Sequence, residues 1–327
     1  MGFRYGTAAN ALTNTATATP NAAGSFEATI DNLTESTTYY YALYAVVNGK
    51  TFTSEVASFK TLDKPIEPIV AQSWLELPAK MEEYDNLYVN TLYDGSTRNY
   101  TIAYDKSLYT TYWVAYALNS THMGSLSRPD NWSYDPNLAS SYQVDLRNAS
   151  YSSYNNGEGH SRGHLIPNAS RNGNQTMQLQ TFYVTNSAPQ IHTSFNEGIW
   201  SSLEGALQNI AQSEEIYIVT GTTLQTVGGN ETISYTTAKN DTKQVPVPNY
   251  FYKVVLKVNK SGSTVTSASA IGFWFENKAY SSTTYSSYAK SVDEIEALTG
   301  LDFFVNLADN LENAAESNSS WTTFQAF

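Results

Sequence analysis

The segment Thr61-Leu62-Asp63-Lys64-Pro65-Ile66-Glu67-Pro68 constrains the fold more than any other. Its two prolines and three charges end one residue pattern, and a different pattern begins beyond them. Neither a helix nor a central strand runs through Pro65 and Pro68, so the chain is expected to divide here. The division expected is a β module over residues 1–62, a linker over 63–73 and a larger domain over 74–327. A chain of 327 residues is long enough for one large core plus a small module.

Before the linker the pattern is all-β. Tyr39, Tyr41, Leu43 and Ala45 alternate with Tyr40, Ala42, Tyr44 and Val46, so both faces of that strand are largely apolar. Asn48-Gly49 then signals a type I′ hairpin, and Phe52, Val56 and Phe59 continue the returning strand. The run from Leu33 to Tyr41 resembles the tyrosine-corner segment of fibronectin type III domains, and that resemblance covers only the later strands of the fold. Three basic residues against four acidic ones leave the module nearly neutral, which suits a spacer or display domain better than a nucleic-acid clamp.

Beyond the linker, strands and helices are mixed. Strands are predicted at Tyr100–Tyr104, Trp113–Ala117, Phe182–Val184, Ile216–Val219, Tyr252–Leu256 and Ala270–Phe275. Ile199, Leu203, Ala206 and Ile210 recur at helical spacing, joined by Trp200, Leu207 and Ala211, and Asn196 is expected to open that helix. A second helix is predicted from Val292 to Thr299, begun by a Ser291/Glu294 capping box and stopped by Gly300. The class expected is α+β.

The chemistry concentrates in Gly157-Glu158-Gly159-His160-Ser161-Arg162-Gly163-His164-Leu165-Ile166-Pro167-Asn168-Ala169-Ser170-Arg171. This stretch holds two histidines, two arginines and three glycines, with neither helical nor strand periodicity. Charged, Gly-punctuated loops are where sites are commonly placed. An imidazole such as His164 titrates near neutrality and can take a proton from water. Arg162 can bridge phosphate oxygens, and Gly163 between them would let the backbone approach a bulky anion. Asn186 and Asn196 offer amide oxygens, hard donors that suit Mg²⁺. His160 and His164 would reach one zinc ion only from a helix, which Gly159, Gly163 and Pro167 oppose. Cysteine is absent, which excludes disulfides and thiolate metal sites. No run approaches the ~20 apolar residues that span a bilayer. The opening Met1-Gly2-Phe3-Arg4-Tyr5 lacks basic and apolar signal-peptide regions, so none is expected in this chain.

Ser161-Arg162-Gly163-His164-Leu165-Ile166-Pro167 resembles the Asp-Arg-Gly-His motif of the DNA/RNA non-specific endonucleases, the ββα-metal or His-Me finger family. The similarity continues through Thr185–Gln190, Asn196–Trp200, Leu203-Glu204, Val247–Lys253 and Leu298–Phe304, in order and at matching spacing. The resemblance implies Mg²⁺-dependent hydrolysis of DNA and RNA, with Mn²⁺ as a substitute and products ending in 5′-phosphate. His164 would be the general base and Asn196 the only protein ligand of the metal. Arg162 would contact the phosphate, Asn186 would orient His164 or the scissile group, and Glu204 would hold metal-bound waters. Arg128 and Arg171 are further candidates for substrate contact.

Three positions depart from the family pattern. Ser161 stands where the family has Asp, Ser170 stands where an acidic residue often follows the proline, and Arg128 lies two residues ahead of Asp130-Asn131-Trp132. The net charge of −12 opposes tight electrostatic binding of nucleic acid, which needs Lys and Arg to displace counterions. A surface binding or adhesion protein with an inactive nuclease-like domain is therefore the rival expectation. The adhesion-like module also suggests a periplasmic, cell-surface or secreted bacterial protein.

Overall fold

The computed structural model describes residues 1–20, 26–30, 33–34, 37–61 and 74–327, so the expected linker lies outside the described residues. The chain divides into two compact units, Met1–Gln72 and Ser73–Phe327.

The first unit is all-β. Strands β1 (Gly2–Gly6), β2 (Asn14–Thr17), β5 (Thr38–Val47), β6 (Lys50–Thr53) and β7 (Ala57–Lys60) form one antiparallel sheet, and β3 (Thr19–Pro20) pairs with β4 (Phe26–Glu27). The order is β2-β1-β5, with β6 and β7 both pairing with β5. Asn48 and Gly49 both have positive φ, 49° and 77°, as the expected turn requires. Tyr39 and Ala42 are buried, and the Tyr39 hydroxyl accepts the Thr34 N–H at 3.0 Å. Phe52 and Val56 of the returning segment are exposed, whereas Phe59 stacks on Tyr39 at 6.0 Å between ring centroids.

The second unit runs β8 (Leu87–Asp94), β9 (Thr97–Asp105), β10 (Thr110–Leu118), β11 (His160–His164), α1 (Gln175–Gln180), β12 (Ser187–Ile191), a π-helical segment His192–Trp200 and α2 (Ser201–Ile210). It continues with β13 (Ile216–Thr223), β14 (Ser234–Thr236), β15 (Val245–Val247), β16 (Tyr250–Ser261), β17 (Thr264–Glu276), β18 (Ala289–Lys290), α3 (Val292–Thr299), α4 (Asp309–Glu316) and α5 (Trp321–Ala326). Seven strands form one antiparallel sheet, ordered β18-β17-β16-β13-β10-β9-β8. Side chains alternate across it, and both faces are covered. Ile102, Val114, Tyr116, Ile218, Val255 and Phe273 pack with Phe195, Trp200, Leu203 and Leu207 on one side. Ala103, Ala115, Val219, Val254 and Ala270 pack with Val292, Ile295, Phe303 and Ala315 on the other. Burial on both faces explains why these strands read as nearly continuous apolar runs.

Two expectations need correction. Phe182–Val184 is not a strand: Val184 opens a 3-10 turn through Asn186, and Phe182 packs into a separate cluster with Trp132, Leu146 and Tyr151. Asn196 does not open the helix, because the helical path begins at His192 and Asn196 lies inside it. The Ser201 N–H bonds back to the Asn196 carbonyl, the wide spacing of a π-turn, and Gly198 takes a non-helical φ/ψ of −105°/−109° there. α3 starts and stops as expected. Ser291 and Glu294 form the capping box, and Gly300 closes the helix at φ 72°.

Candidate active site

The Arg-Gly-His motif forms a strand, not a loop. β11 pairs antiparallel with β12, with Ser161 opposite Gln190, Gly163 opposite Ala188 and His164 opposite Ser187. The two polar clusters of the sequence are therefore the two strands of one arm. The absence of a side chain at Gly163 serves this pairing rather than a ligand. A Cβ there would lie 2.4 Å from Gln190 Oε1 and 2.6 Å from its Cβ.

His164 ends β11 at a cleft of about 240 Å³ also lined by Arg128, Asn168, Asn196, Trp200, Glu204 and Gln208. Its ring packs between Trp132, at 4.7 Å between centroids, and Phe182, at 5.0 Å edge-on. Those walls fix its orientation without a hydrogen bond. Its Nε2 is shut off from solvent and has no hydrogen-bond partner among the described residues. Burial, and then the charges of Arg128 and Arg162, hold His164 well below its ordinary value. The imidazole is neutral at pH 7 and has a lone pair to use.

Asn186 is fully buried beside the strand end. Its Oδ1 accepts the Ile166 N–H at 3.0 Å, while Nδ2 donates to the carbonyls of Ile166 at 3.0 Å and Thr181 at 2.7 Å. The residue fixes the backbone just after His164. Its side chain does not line the cleft.

Asn196 reaches the cleft from the π-helical segment. Its Nδ2 donates to Ser161 Oγ at 3.2 Å, and Oδ1 has no hydrogen-bond partner among the described residues. Ser161, at the position of the family's Asp, thereby holds the nitrogen end of the amide and leaves the oxygen end available. Glu204 enters from the first turn of α2, with one oxygen 3.5 Å from Lys253 Nζ. Lys253 is fully enclosed, donates to Thr220 Oγ1 at 2.8 Å and lies over the Trp200 ring at 4.3 Å. Burial pushes Glu204 up and pulls Lys253 down, and each offsets the other's shift. Sequence reasoning missed Lys253, although a lysine within Tyr250-Phe251-Tyr252-Lys253-Val254-Val255-Leu256 is a cation that needs a buried partner.

The three arginines separate. Arg128 is exposed at the cleft, 3.7 Å from Asp130 and 5.0 Å above the Phe182 ring. Arg162 lies 4.7 Å over Trp132, donates to the Leu146 carbonyl at 2.8 Å and does not line the cleft. Arg171 is wholly buried, which corrects the expectation that it contacts substrate. Its guanidinium donates to Asn99 Oδ1 at 2.6 Å and to the carbonyls of Ser170, Asn99 and Ala117 at 2.8–2.9 Å. Burial lowers it to about 10, and the cation ties β9, β10 and the motif's exit together.

The donor set fits a hard divalent cation. It offers an unengaged amide oxygen, a carboxylate and a neutral imidazole, with no thiolate, around a cleft wide enough to keep water. Among the described residues, no helix is long and apolar enough to cross a membrane.

Residues 80–310 match the model of the DNA/RNA non-specific endonucleases. A nuclease of Nostoc sp. is 31% identical over 223 residues, covering 67% of this chain and 75% of that protein. The Serratia marcescens nuclease is 26% identical, covering 72% and 86%. The human mitochondrial nuclease EXOG is 29% identical, covering 64% and 56%. In fold, the chain is similar to one in a crystal structure of the EndoG/EndoGI complex, with TM-score 0.54, 20% identity and coverage of 68% and 88%. The chain belongs to the family of DNA/RNA non-specific endonucleases and is a nucleic-acid-hydrolysing enzyme.

Proposed function

We propose that the chain is a Mg²⁺-dependent, non-specific endonuclease acting on DNA and RNA, with His164 as general base. The observation that carries this is the neutral imidazole of His164 lining the same cleft as the free amide oxygen of Asn196. His164 takes a proton from water, the water oxygen attacks phosphorus, and the bond to the 3′ oxygen breaks, leaving a 5′-phosphate. Trp132 and Phe182 hold the imidazole in place. Asn196 would hold the metal through Oδ1, and Glu204 would accept hydrogen bonds from its waters. The bound cation would neutralise charge on the phosphate and the leaving oxygen. Arg128 would contact the phosphate, which its position at the cleft supports. Arg162 would do so only by releasing the Leu146 carbonyl. Low sequence preference is supported by the sequence, in which no helix-turn-helix, zinc finger or basic helix is visible. The all-β unit supports a spacer or display role and export to the periplasm or cell surface.

The test is digestion of supercoiled plasmid and of structured RNA, with Mg²⁺ or EDTA, by wild type and His164→Ala. Metal-dependent cutting that falls by ~10²–10⁴-fold in the variant is expected. Wild-type protein that leaves both substrates intact at every pH and with every metal would sink the proposal.

A further inference from the structure

The second unit carries a group of acids that the cleft does not use. Asp293 and Glu296 are three apart on α3, and Glu312 and Glu316 are four apart on α4, so each pair shares a helix face. Carboxylate oxygens of Asp293, Glu296 and Glu316 all lie within 4.8 Å of one another. Like charges that close are costly, and a cluster of exposed acids alone would mean little.

Glu316 makes this cluster different. It is 5% exposed, and its Oε1 has no hydrogen-bond partner among the described residues; Glu312 Oε1 is likewise buried and unpartnered. No Lys, Arg or His among the described residues pairs with these acids, since Lys290 binds Glu294 instead. Among the described residues, only the Phe303 N–H, at 2.7 Å from Glu296 Oε1, donates to them from outside their own helices. A nearly enclosed carboxylate facing two more carboxylates, with no cation beside it, describes half of an ion site.

We propose that Asp293, Glu296 and Glu316 bind a structural divalent cation of the calcium type that ties α3 to the end of α4. All-oxygen, carboxylate-rich donors without His or Cys select hard cations. A set drawn from two helices, without octahedral constraint, suits Ca²⁺ better than the smaller Mg²⁺. This site is independent of the cleft and of the proposed hydrolysis.

The test uses the full chain stripped of metal, with the cleft ligand removed by Asn196→Ala, and CaCl₂ or, in a parallel run, MgCl₂ as the only added metal. Binding is read by calorimetry and by melting temperature. Saturating Ca²⁺ is expected to raise the melting temperature by about 5 °C. Adding Glu316→Gln is expected to abolish that rise, as is Asp293→Asn. Asp293 is exposed, so its variant answers the question even where the buried one folds poorly. No rise in the Asn196→Ala protein, a rise that survives both second substitutions, or an equal rise with Mg²⁺ would each overturn the proposal.

Discussion

The cleft wall holds a half-buried glutamate and the α3–α4 corner a buried one, and they treat it in opposite ways. Glu204 has the enclosed Lys253 within 3.5 Å, and that lysine is itself held by Thr220 and the Trp200 ring. Glu316 has only other carboxylates. A low-dielectric interior makes either charge expensive, and the expense is met internally in the first place and left open in the second. The comparison teaches that a buried acid supplied with its own cation is a positioned group, ready to act on something else. A buried acid without one is held only by its neighbours, and the proposed cation would supply what Lys253 supplies to Glu204.

The sharpest way to break the contrast is to make the cleft resemble the corner. Lys253→Met removes the cation and leaves Glu204 enclosed and unpaired, so about 3–5 kcal/mol of stability should be lost in denaturant unfolding. A loss below about 1 kcal/mol would mean that Glu204 simply takes up a proton, and that Lys253 is not what keeps it charged.

Arg171 sharpens the contrast from the side of the cations. It is buried on neutral oxygens alone, whereas Arg128 sits in solvent at the cleft. Arg171→Met should cost about 3 kcal/mol by stranding four acceptors. Arg128→Ala should change stability by no more than about 0.5 kcal/mol while raising KM for plasmid. Equal effects of the two on both readouts would refute the division of roles.

The smallest expected effect concerns pH. His164 is neutral when folded but protonates near 6.5 when unfolded, so the unfolded chain binds the extra proton as pH falls below that value. Stability should therefore decline from about pH 6.5 downward, and His164→Ala should flatten that part of the curve. The acid limb of kcat/KM should likewise lie below 6.5. A limb at or above 6.5 would show that burial does not hold the base neutral.

The sequence makes local features plain and long-range ones obscure. Asn48-Gly49 and the Ser291–Gly300 helix were readable because each depends on residues a few positions apart. The core strands were readable because both of their faces are buried. The strand His160–His164 was hidden, since glycine, arginine and histidine mask its alternation and its partner lies near Pro189. The buried state of Arg171 depends on Asn99 and Ala117, far away in sequence. His164, Asn196, Glu204 and Arg128 do meet at one cleft. The family motif led to them, but nothing in their spacing indicates the Trp132 and Phe182 walls or the lysine behind Glu204.

The missing methyl at Gly163 has a wider consequence. The Gln190 side chain lies across that backbone, in space that any Cβ at residue 163 would occupy. Sliding β11 by one position against β12 would put Arg162 or His164 under Gln190, and every side chain of the strand would turn to its other face. Glycine thus acts as a key that fits one alignment of the two strands, and that alignment decides on which side of the arm the base emerges. The reactive face of this enzyme is chosen by an atom it lacks.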